Sequence, residues 1–171
     1  MTIKICLIGS IPKGDHKRKS WTDWKIKYKE ELSKIEDVEF VDGDSWKEEA
    51  EFLKLVGHDS HLIKISDIVI MNAEKKLGVG TAQEMLIAKY FSKPVITILP
   101  KDTHHRKSDI VFDGKNIEDW IHPFIRVMSD LVVESVGDAI TWIEEYQNNP
   151  SIKIKTISII DESVEAFQKG K

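Results

Sequence analysis

The chain has 171 residues, 41% hydrophobic and 32% charged, enough for one domain with a substantial core. Its net charge of −4 gives no whole-chain attraction to nucleic acid or an anionic membrane, and its single cysteine, Cys6, excludes an intramolecular disulfide and a cysteine metal cluster. No apolar run approaches the ~20 residues of a membrane helix, and residues 1–8 lack the basic start and long apolar run of a signal peptide, so the cytoplasm is the expected compartment.

Residues 3–8 form an apolar, β-rich run ending at Gly9-Ser10 and predict the first strand. Ser20 is placed to cap a helix carrying Trp21, Trp24, Tyr28, Leu32 and Ile35 on one face. A second strand over 38–41 closes at Asp42-Gly43-Asp44. Ser45 then opens a helix with Trp46, Ala50 and Leu53 on its buried stripe, ending near Gly57, with a further turn over 61–65. Residues 68–71 predict strand three, 81–91 a third helix, and 94–99 strand four, stopped by Pro100. A polar stretch over 101–115 follows, a helix over 120–127, a short strand over 131–133 and an amphipathic helix over 136–147.

Strands separated by helices imply right-handed parallel βαβ units. The expected fold is an α/β, three-layer α/β/α sandwich on a parallel sheet of about five strands, Rossmann- or flavodoxin-like. Residues 1–149 make a single domain and 150–171 an extension. Residues 152–160 alternate imperfectly with Lys and Thr, compatible with an edge strand, an arm onto a neighbouring subunit or a loose tail. An arm across an interface is favoured, because Ile157, Ile159 and Ile160 need cover.

The most informative segment runs from Asp67 to Glu84. An apolar strand enters a loop holding Gly78 and Gly80, and the loop opens a helix whose first turn carries Glu84. The carboxyl edge of a parallel sheet is where α/β proteins bind ligands. Glycines let the backbone approach a ligand, and a helix start offers unpaired amides. Thr81-Ala-Gln-Glu84 also fits a capping box, in which Glu84 only reaches back to the Thr81 amide. Asp59, following His58, reads on its own as a solvated helix-end residue. The pairs His58/His61 and His104/His105 lack further ligands at useful spacing, so no metal site is expected. His122 reads as a structural residue.

The ordered set Gly9-Ser10-Ile11, Asp59, Ser66-Asp67-Ile68-Val69, Gly80-Thr81-Ala82-Gln83-Glu84 and Lys93-Pro94-Val95-Ile96 resembles the nucleoside 2-deoxyribosyltransferases and the related deoxynucleoside-monophosphate N-glycosidases, over roughly residues 3–99. The resemblance implies that Glu84 is a nucleophile that attacks C1′ and expels the base, leaving a glycosyl ester. It implies that Asp59 lies by the base and helps it leave. The substrate would be a nucleoside or nucleoside 5′-monophosphate, with transfer to a second base or hydrolysis, no metal or organic cofactor, and a homo-oligomeric assembly. It further implies that the basic loop after the first strand (Ser10, Lys13, Gly14, Lys17 and Arg18) grips a 5′-phosphate. Gly9, Gly78, Gly80 and Thr81 complete the expected substrate-binding set. The chain departs from the family pattern at two positions. Cys6 stands where a tyrosine orienting the nucleophile is common, and Gly78 where an aspartate or serine is common; Asn72 is a candidate replacement. Two other readings keep part of the pattern: a phosphoribohydrolase of the "lonely guy" type, whose Pro-Gly-Gly run and upstream arginine are missing here, and a non-catalytic nucleotide-binding sensor.

Overall fold

The computed structural model describes residues 2–41, 43 and 51–170. β1 (Ile3–Gly9) leads through a loop with one short turn, α1 (Asp15–Arg18), to α2 (Trp24–Leu32) and β2 (Val38–Val41). α3 (Phe52–Ile65), β3 (Ile68–Asn72), α4 (Val79–Tyr90) and β4 (Val95–Ile98) follow. An antiparallel hairpin, β5 (Arg106–Phe112) and β6 (Lys115–Ile121), precedes α5 (Pro123–Met128), β7 (Leu131–Val133), α6 (Ile140–Asn148) and α7 (Ile159–Lys169). Five parallel strands lie in the order β2-β1-β3-β4-β7, the flavodoxin-like order, as expected from the alternating pattern. No helix among the described residues is long and apolar enough to cross a membrane.

The central strands carry apolar residues on both faces because both are covered. On one side Ile3, Ile5, Ile68, Ile70, Ile96 and Ile98 pack on Tyr28 and Leu32 of α2 and Ile143 of α6. On the other, Cys6, Ile8, Val69, Met71 and Val95 pack on Ile63 of α3, Met85 and Ala88 of α4 and Ile125 of α5. The order in which successive strands are added reverses between β1 and β3, whose ends are in register, Gly9 opposite Asn72. That is the switch point at which such sheets open a crevice.

Several expectations are corrected. The first long helix is capped by Asp23, whose Oδ1 accepts from the Lys25 amide at 3.0 Å, and not by Ser20. The helix expected to stop near Gly57 runs unbroken to Ile65, and Leu53 on it is 87% exposed. Ser45, Trp46 and Ala50 lie outside the described residues. Within the polar 101–115 stretch, residues 106–112 form a strand, and 120–121 is strand rather than helix. Both belong to the hairpin β5–β6, which turns at Asp113-Gly114, both with positive φ (48° and 74°), the Asp-Gly signature of a two-residue turn. Arg106 holds the hairpin base, donating to both Asp119 carboxylate oxygens (2.7 and 3.0 Å) and to the Leu99 carbonyl (3.0 Å).

The 152–160 segment forms no strand. It runs back over its own chain at the edge of the sheet opposite the switch point. There the Lys155 amide donates to Asp130 Oδ1 (2.6 Å), and its ammonium donates to the Ser129 and Arg126 carbonyls at the end of α5 (2.6 and 3.1 Å). Lys89, wholly buried at the end of α4, pairs with Asp130 and donates to the Lys93 and Lys155 carbonyls (both 3.2 Å). Asp130 Oδ2 also accepts from the Val95 amide (2.7 Å). Burial pushes the Lys89 pKa down, against the pull of Asp130. With every polar group satisfied, the cluster fastens the extension to the sheet.

Candidate active site

The chain leaves β1 at Gly9, where the missing side chain is required. A Cβ there would come within 2.6 Å of the Trp24 ring and 3.1 Å of Asn72 Cβ. Trp24 packs over this point and donates its indole N–H to the Ser10 carbonyl (3.2 Å). Tyr28, edge-on to Trp24 at 4.9 Å, donates to Glu74 Oε1 (3.0 Å) in the loop after β3. Ser10 donates its hydroxyl to the Lys76 carbonyl (3.1 Å), and Asn72 accepts from the Glu74 amide (3.0 Å). These bonds fix the two switch-point loops against each other.

Beside them opens a cleft. Its floor is Cys6 and Ile8 of β1. One wall is α3, with Leu55, Asp59, Leu62 and Ile63. Glu84 enters from α4, and Ile11, Lys13 and Arg18 form the rim. Asp59 reaches the cleft because α3 continues past Gly57, which places it on an inward face eight residues into the helix. His58 Nδ1 lies 3.1 Å from Asp59 Oδ1.

The capping-box alternative for Glu84 is not realised. α4 starts at Val79 behind Gly78, whose backbone is extended (φ −81°, ψ 167°), so Thr81 is already inside the helix and buried. Glu84 stands in the second turn and is half-buried in the cleft. Its carboxyl is pushed from 4.5 up to about 7, first by burial and then by the Asp59 charge, against the opposing pull of Lys13 and Lys25. Two carboxylates and several cations in one cleft can hold an anionic ligand and present an ionisable oxygen to an electrophilic carbon.

Of the residues expected from sequence, Glu84, Asp59, Gly9, Lys13 and Arg18 line this one cleft. Ser10 and Asn72 line a neighbouring hollow with Trp21 and Trp24, on the other side of β1. Lys17 and Gly14 are exposed, Gly14 with φ 80°. Gly78 and Gly80 border open space, since a Cβ on either would meet nothing within 4 Å. Gly78 faces a separate apolar groove of about 560 Å³ between α4 and α5, lined also by His105 and His122. His105 Nε2 accepts from the Leu77 amide (3.0 Å), and burial followed by the neighbouring His104, His122 and Lys76 holds its pKa down at about 4. The histidines after β4 therefore build that groove and the hairpin base, not the Glu84 cleft.

Gly43 and Lys25 also line the cleft, outside the set expected from sequence. Gly43, after β2, lies within 3.9 Å of Asp59 Oδ1, measured from an ideal Cβ. Lys25, on α2, is 3% exposed and lines the cleft. A signal for Lys25 exists in the sequence. Lys25, Tyr28, Leu32 and Ile35 recur at helical spacing on the buried stripe, and a lysine in such a series is out of place unless a polar pocket receives it.

No family model and no curated protein matches the chain. Among solved structures it is similar to a CMP N-glycosidase, BcmB, from Clostridium botulinum, at 14% identity and a TM-score of 0.46, over 84% of this chain and 98% of that one. It is also similar to a 2-deoxyribosyltransferase from the psychrotolerant bacterium Bacillus psychrosaccharolyticus, at 18% identity and a TM-score of 0.49, over 90% and 98%. Similarity of this order concerns the course of the chain and not its side chains.

Proposed function

We propose that this chain cleaves the N-glycosidic bond of a nucleoside 5′-monophosphate, with Glu84 as nucleophile. The observation that carries the reading is the meeting of Glu84 and Asp59 in one cleft whose rim holds Lys13 and Arg18. The motif order from Gly9-Ser10 to Lys93-Pro94 supports the same reading. The cations of the rim suit a phosphate, which a free nucleoside lacks.

Ionised Glu84 attacks C1′ as the C1′–N bond breaks through an oxocarbenium-like transition state, and the bonding pair leaves with the base. Asp59 hydrogen-bonds the departing base, which takes up a proton from water as it leaves. The glycosyl ester on Glu84 is then opened by water, which yields the sugar phosphate, or by a second base, which yields a new nucleotide.

The test is base release from a panel of ribo- and deoxynucleosides and their 5′-monophosphates. Release is expected from monophosphates first, with a loss of at least about a thousandfold in Glu84→Gln. A 2-fluoro-sugar analogue should leave a mass adduct on the peptide containing Glu84. Unchanged release in Glu84→Gln would refute the proposal, as would binding of monophosphates without turnover, the behaviour of a sensor.

A further inference from the structure

We propose that Lys25 is a positioning residue that keeps Glu84 ionised while the rim cations are occupied by the substrate phosphate. This deepens the functional reading above and rests on it for its catalytic consequence.

Three lysines alternate along α2, at 25, 27 and 29, and only Lys25 is fully buried. Tyr28 and Leu32, on the same stripe, pack on Ile3 and Ile5 beneath the sheet. Lys25 lies one turn nearer the carboxyl edge. Its long stem carries it from the α2 layer past the end of β1 to the cleft that α3 and α4 wall on the other side. Packing alone would fill this position with an apolar side chain, because an ammonium loses hydration there.

The charged and titratable groups that share its cleft are Glu84 from α4, Asp59 from α3, Cys6 from β1, Lys13 from the loop and Arg18 from α1; His58 stands against Asp59. Lys13 and Arg18 are exposed, so water screens them and a bound phosphate neutralises them. The charge of Lys25 acts through a poorly screened interior. The cations thus divide by burial: Lys13 and Arg18 stand exposed at the rim, and Lys25 is buried in the same cleft as the carboxylates. Lys13 first, and then Lys25, hold down the pKa of Glu84 in the unliganded cleft, so Lys25 is the cation left to offset it once a phosphate occupies Lys13.

The experiment follows the Glu84 carboxyl by carbon-13 NMR titration in the unliganded protein, together with pH profiles of base release. Lys25→Met, which keeps the length and apolar stem, should move the Glu84 titration upward by about one pH unit. It should lower kcat/KM about tenfold on the acid side, leave KM for the monophosphate near wild type, and leave the melting temperature no lower. Lys25→Arg should restore the wild-type titration. The NMR readout needs no turnover, so it stands even if the glycosidic reading fails. An unmoved Glu84 titration in Lys25→Met overturns the proposal. So does a raised KM with an unchanged pH profile, which would make Lys25 a phosphate ligand instead.

Discussion

At the scale of single residues, the role proposed for Glu84 sets opposite demands on function and stability. The proposed nucleophilic attack needs the carboxylate, whose pKa is about 7, so kcat/KM should fall on an acid limb near pH 7. Stability runs the other way. A carboxyl raised from 4.5 to about 7 on folding contributes stability that is fully present below pH 4.5 and lost as pH rises through 7. The ionised group then costs about 3 kcal/mol. Glu84→Gln should therefore melt higher than wild type at pH 8, by about 2–4 °C per kcal/mol recovered, with the difference closing toward pH 4. Calorimetry across that range checks it, and an equal difference at all pH values would deny the buried charge its role. None of this was legible in Thr81-Ala-Gln-Glu84 itself, which reads equally as a capping box. The two readings separate only because the helix begins at Val79, a boundary that local propensity does not fix.

At the scale of elements, α4 works as a rod clamped at its end. Glu84 projects from its second turn, and Lys89 is buried at its last turn against Asp130 and the extension. Lys89→Met leaves Asp130 buried without its cation, a change that costs about 3–5 kcal/mol. It should also speed amide exchange over 152–158, since the Lys155 carbonyl loses its donor. Hydrogen exchange with mass readout measures both, and protection unchanged over 152–158 would show the extension to be held by other contacts. The hairpin is the element where sequence reading erred most. Its strands are mainly exposed and polar, so no alternation of buried residues betrays them. The turn pair Asp113-Gly114 was the available signal. The length of α3 is not legible because Gly57 has the signature of a helix stop, whereas it stays within the helix in open space, where a side chain would meet nothing within 4 Å.

At the scale of the molecule, the parallel sheet was legible because its strands are buried on both faces and read as unbroken apolar runs. The convergence of Asp59 on Glu84 was not, because it depends on how α3 and α4 lie together over the sheet. The extension leaves one large question for the assembled state. Ile157, Ile160, Val164 and Phe167 recur at helical spacing along α7 and its approach, 37–64% exposed, while no residue of α7 itself is buried. The homo-oligomer expected from sequence is thus expected to form through this stripe. Sedimentation equilibrium should find it, and Val164→Glu with Phe167→Glu should weaken association at least about tenfold. An assembly indifferent to both changes lies elsewhere.

The Lys89 cluster also orders events during synthesis. Every residue assigned to the cleft, from Cys6 to Glu84, leaves the ribosome before Asp130 and Lys155 exist. Until Asp130 is made, the helix bearing Glu84 ends in a lysine that lacks its carboxylate partner, so burying the ammonium is costly. The cleft is therefore encoded early, and α4 is expected to seat fully only when Asp130 and the Lys155 carbonyl are both in place.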